Sequence, residues 1–78
     1  MTTEYRTSDI VLAACLRLHD VRLDRIEIVG TRGIFIFTDV PEDFTRAFDA
    51  GEVRVEPTSF NNEIRTINKA IRRLVDNG

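Results

Sequence analysis

The chain has 78 residues, 42% hydrophobic and 31% charged, with a formal net charge of −2. That composition suits one domain with one small core and argues against a disordered chain. No apolar run approaches the roughly 18 residues of a membrane span, and Cys15 is the single cysteine, which excludes an internal disulfide.

Met1-Thr2-Thr3-Glu4 has no basic stretch leading into an apolar one, so no secretory leader is expected and a reducing, cytoplasmic setting is. Thr7-Ser8-Asp9 then opens a helix, with Thr7 as N-cap and Asp9 in the first turn. The helix runs from Ser8 to about His19. Val11, Leu12, Cys15, Leu16 and Leu18 share its broad apolar face, and Ala13 and Ala14 allow close approach of another element. Asp20 is a left-handed C-cap candidate.

Val21 to Val29 reads as a strand whose alternation slips between Leu23 and Ile26, which predicts either a bulge near Asp24 or pairing that begins only there. Gly30-Thr31-Arg32-Gly33 is the turn of a hairpin, with two glycines available for positive φ. Ile34-Phe35-Ile36-Phe37 is the return strand, and its unbroken apolar character calls for cover on both faces.

Asp39-Val40-Pro41-Glu42 has the form of a capping box, opening a helix that ends near Ala50 with Gly51 at C′. Phe44, Ala47 and Phe48 mark its inner face. Glu52 to Glu56 alternates strictly and reads as a short edge strand. Pro57 opens the last helix, capped by Glu56 or Thr58. Phe60, Ile64, Ile67, Ile71, Leu74 and Val75 form its apolar stripe, and it ends near Asp76.

These elements predict an α+β fold in the order α-β-β-α-β-α, with an antiparallel hairpin extended by a short edge strand and packed by helices. Residues 1–78 are one domain on this reading, with 1–4 a flexible N-terminus and 77–78 a tail. The chain also resembles a group of short uncharacterised domains from bacteria, archaea and their phages. The likeness rests on Tyr5-x-Thr7-x-Asp9, Leu12-Ala13-Ala14, Ile34 to Phe37 followed by Asp39, then Phe48, Gly51, Val53 to Val55, Glu56-Pro57 and Phe60. Asp20 stands where that group usually has Gly, and Glu56 where it often has Asp. The resemblance implies a small α+β domain, frequently phage or prophage encoded, and brings no activity and no site residues.

Chemistry-bearing residues are few. Cys15 and His19 lie i, i+4, but a thiol in the middle of an apolar face is packing, and two ligands do not make a zinc site. Gly30 to Gly33 lacks the GK[ST] ending of a phosphate loop. No catalytic residue, cofactor, metal, small-molecule substrate or membrane contact is expected.

Charge is uneven. Asp39, Glu42, Asp43, Asp49 and Glu52 form a candidate acidic interaction face. Asn61, Asn62, Arg65, Lys69, Arg72 and Arg73 form a candidate nucleic-acid face opposite the last helix's stripe, diluted by Glu63 and Asp76. An uncovered row of the central strand, or the Val53–Val55 edge, would favour a homodimer. The leading functional expectation is a non-catalytic interaction module that binds a protein partner or itself. The alternatives are a small nucleic-acid-binding accessory protein and an inhibitor of a host nucleic-acid machine acting through acids.

Overall fold

The computed structural model describes residues 3–77. The described residues form β1 (Glu4–Thr7), α1 (Ile10–Leu18), β2 (Leu23–Val29), β3 (Arg32–Thr38), α2 (Glu42–Asp49) and α3 (Pro57–Asn77). They make a small α+β domain with a three-stranded antiparallel sheet and three helices.

The strand order is β1-β3-β2, so the most apolar strand is central. Phe35 is 1% exposed, and Ile36 and Phe37 are 0%. Cross-strand partners share a face. Tyr5 lies opposite Phe37, Ile26 opposite Phe35 and Ile28 opposite Gly33, which builds the inner face. Leu12, Ala13, Ala14 and Leu16 of α1 and Ile67 of α3 pack into one core with Phe35 and Phe37. The predicted bulge lies between Leu23 and Arg25.

The third strand is not where the sequence placed it. Glu52 to Glu56 forms no ladder; Val53 and Val55 are half-buried between exposed neighbours, so its alternation reflects packing without pairing. The strand beside β3 is β1, and the element order is β-α-β-β-α-α. Tyr5 and Thr7 suit a strand, but four residues running into a cap look like a lead-in when read alone. Glu4, expected in a loose terminus, opens β1, and Thr3 accepts a bond from Asp39 N at 3.0 Å. Asn77 closes α3 instead of starting a tail. Met1, Thr2 and Gly78 lie outside the described residues.

Several local expectations are revised. Asp9, not Thr7, caps α1: its carboxylate accepts from Val11 N at 2.9 Å and Leu12 N at 3.2 Å, while Thr7 Oγ1 accepts from Asp9 N. The capping box at Asp39 does not form. Pro41 is the N-cap of α2 with no side-chain cap bond, and Asp39 takes φ 57°. Gly33 is not a turn residue. It lies in β3, buried, where a Cβ would stand 3.0 Å from Ile71 Cγ1 and Cδ1, so its missing side chain lets α3 reach the sheet. Leu74, expected in the stripe, is 41% exposed.

Both shorter helices end in paired Schellman bonds. Asp20 at φ 63° follows α1, with Val21 N to Leu16 O at 3.0 Å; Gly51 at φ 74° follows α2, with Glu52 N to Ala47 O at 2.8 Å. Glu56 caps α3, accepting from Thr58 N at 3.0 Å and Ser59 N at 2.7 Å, and these two amides hold its carboxyl below the usual glutamate range.

Candidate functional site: two charged surfaces

The outer face of the sheet settles whether an apolar row stands open. Arg6 and Arg25 flank Ile36 on the two neighbouring strands, and Glu27 lies opposite Ile34. Arg6 pairs with Glu27, and Arg25 pairs with Glu4 at 3.0 Å, with Asp24 and with Glu27 at 3.2 Å. Two of these pairs, Arg6–Glu27 and Arg25–Glu4, join the outer strands across the central one, above Ile36. Their aliphatic stems cover it while the charged heads stay in water. The Arg6 hydrogen bond lowers the Glu27 pKa, and three carboxylates raise that of Arg25. No exposed Ile34–Ile36 row remains for a partner: Ile34 is half-buried and Ile36 is sealed.

The basic candidate residues all lie on α3. At about 100° per residue, Asn61, Asn62, Arg65, Lys69, Arg72 and Arg73 fall within an arc of about 120° opposite Ile67 and Ile71. All six are exposed. Among the described residues none of the four cations is in an ion pair. Lys69, Arg72, Arg73 and Asp76 line a shallow depression of about 320 Å³. Glu63, expected to dilute the patch, turns inward to pair with Arg17 of α1; its Oε1 is buried and held by that charge without a well-aligned hydrogen bond. Asp76 is the acid that stays with the row.

The acidic candidate residues are exposed too, but they do not share one surface. Asp43 and Glu52 line one depression with Arg46 between them. Glu42 faces another, beside Thr3 and Tyr5. Asp39 opens onto a groove of about 600 Å³ with His19, Asp20, Arg22 and Asp24. Asp49 ends α2 apart from these. The sequence reading did not bring Asp20 and Asp24 to Asp39; the left-handed turn at Asp20 does so.

Cys15 is buried, and burial pushes its thiol pKa up, the direction that suppresses a nucleophile. His19 Nε2 lies 2.9 Å from Arg54 O, and the ring meets Phe44 edge-on at 5.2 Å between centroids. It ties α1, α2 and the segment before α3 together. Among the described residues no three His, Cys, Asp or Glu side chains are grouped to hold a metal, and no helix is long and apolar enough to cross a membrane.

Comparison of the chain with known protein families, with curated proteins and with solved structures finds no match.

Proposed function

We propose that this chain is a non-catalytic interaction module, of phage or prophage type, that contacts the phosphate backbone of nucleic acid through the outer face of α3. The observation that carries this reading is the row Arg65, Lys69, Arg72 and Arg73: four exposed cations on one helical face, free of ion pairs among the described residues, with Glu63 withdrawn to Arg17. Over Asn61 to Arg73 the row is about 18 Å long at 1.5 Å per residue, more than the roughly 12 Å width of a major groove. Asn61 and Asn62 add amides that can meet base edges or phosphates. The net charge of −2 makes this a local contact and not a general attraction to polyanions.

The test is fluorescence anisotropy with short duplex DNA and RNA over a salt series. If each cation displaces a counterion, log K falls against log salt with a slope of about 3 to 4. Arg65→Ala with Lys69→Ala reduces that slope by about 2. Binding that is absent at low salt, or unaltered in the double variant, refutes the reading.

A protein partner for the acids around α2 is the second reading, favoured by the exposure of Asp39, Glu42, Asp43, Asp49 and Glu52 without ion pairs among the described residues. Inhibition of a host nucleic-acid machine by phosphate mimicry is a version of it. Such a partner presents a basic surface, and charge reversal at Asp43 and Glu52 abolishes its binding while leaving nucleic-acid affinity in place.

A further inference from the structure

Among the described residues the sheet ends in β1, with no strand on its far side. The direction of its backbone groups follows from two bonds beyond the ladder itself. Asp39 N donates to Thr3 O at 3.0 Å, so the polar groups of Thr3 point toward β3. On the other side of β3, Thr38 N donates to Arg22 O at 3.2 Å, so Thr38 points toward β2 and away from its β1 partner, Glu4. Hydrogen-bonding direction alternates along an antiparallel strand. Tyr5 and Thr7 therefore bond to β3, while the N–H and C=O groups of Glu4 and Arg6 face outward on an exposed edge.

We infer that this edge pairs, antiparallel and about a two-fold axis, with the β1 edge of a second copy of the chain. Only residues with outward groups can exchange bonds, so three registers use this edge. Centring on Glu4 sets two glutamates opposite each other, and centring on Arg6 sets two arginines opposite each other; like charges directly opposed are destabilising. Centring on Tyr5 sets Glu4 against the partner's Arg6 and Arg6 against the partner's Glu4. That register joins both outward-facing residues of each copy by paired backbone bonds and sets acid against base at both positions, beside the Arg25–Glu4 and Arg6–Glu27 pairs within each copy. It also brings the two Tyr5 side chains together on the inner face at a non-hydrogen-bonded position, where side chains approach closest.

The device is self-complementary, as a two-fold interface requires, and makes a continuous six-stranded sheet by strand addition. A short charged strand ordinarily blunts an edge. Here the alternation of one acid and one base makes the same edge selective for its own copy. The inference is independent of the nucleic-acid reading, since it uses β1 and not α3.

Sedimentation equilibrium of the full chain from micromolar to millimolar concentration, with amide hydrogen exchange on the same samples, tests it. The expected result is a mass rising from 8.9 kDa toward twice that value, with the Glu4 and Arg6 amides gaining protection as it rises. Glu4→Arg, which opposes arginines across the axis, weakens association at least tenfold. A mass of 8.9 kDa at every concentration overturns the inference, as does association that leaves the Glu4 and Arg6 amides freely exchanging or that Glu4→Arg leaves unchanged. If Glu4→Arg fails to fold, amide protection in the unaltered protein still decides.

Discussion

Ile36 and Phe37 are adjacent and both 0% exposed, yet their cover differs in kind. Phe37 is packed from the inner face by the core of α1 and α3. Ile36 is sealed on the outer face by arginine stems carrying ion pairs. Truncating a buried side chain costs its transfer free energy plus a term for the cavity that remains, and that term depends on how far the surroundings collapse. Helix-packed neighbours of Phe37 cannot close in, so Phe37→Ala costs about 3–5 kcal/mol. The stems of Arg6 and Arg25 can fold down over a shortened side chain, which places Ile36→Ala near 2 kcal/mol, the low end for Ile to Ala. With a urea m-value of about 1 kcal/mol/M for a domain of this size, the Ile36→Ala midpoint falls by about 2 M. Phe37→Ala falls further and can leave no folded baseline, because small domains have only about 5–15 kcal/mol in hand. Urea unfolding followed by circular dichroism at constant m is the assay. An Ile36→Ala change within about 0.5 kcal/mol of zero means that the ion pairs do not seal the residue, and a cost equal to that of Phe37→Ala means that the cover is rigid.

Other outcomes follow from single contacts. Gly33→Val drives a branched side chain into Ile71 and costs about 1–3 kcal/mol by overpacking, read as a lowered melting temperature, whereas an unchanged or raised one refutes the close approach of α3 at that point. Asp20→Gly relieves the left-handed backbone at φ 63° and stabilises by about 1 kcal/mol; loss of stability would show that the Asp20 side chain does more than turn the chain. Glu56 has its folded-state pKa below the ordinary 4.5, so its capping contribution is complete above that value and is lost as pH falls through the folded one. Glu56→Gln therefore flattens the acid side of the stability profile, and a profile indistinguishable from the parent's removes Glu56 from the account.

The sequence made the hairpin, the bulge near Asp24, the left-handed Asp20, the Gly51 cap and the long last helix legible, because each rests on a local rule of period or turn chemistry. What it misassigned depends on partners far along the chain. Glu52 to Glu56 alternates as cleanly as any strand, but β1 holds the open side of β3 and leaves that segment unpaired. Gly33 looks like a second turn glycine until Ile71 is seen to need its space. At the candidate surfaces the helical period alone gathered Asn61 to Arg73. The inward turn of Glu63 required α1 in place, and the scattering of the acids around α2 required the grooves to be formed. The cover over Ile36 was hidden because its ion pairs join β1 to β2, strands separated by 21 residues at each contact.

The central claim is that the outer face of α3 is a phosphate-binding surface. An NMR titration of labelled protein with short mixed-sequence DNA and RNA, first at low and then at physiological salt, tests it most directly. The account predicts shifts concentrated at Arg65, Lys69, Arg72 and Arg73 that weaken with salt but persist at physiological ionic strength. Shifts that are absent, that vanish with modest salt, or that gather on β1 or around α2 instead would contradict it.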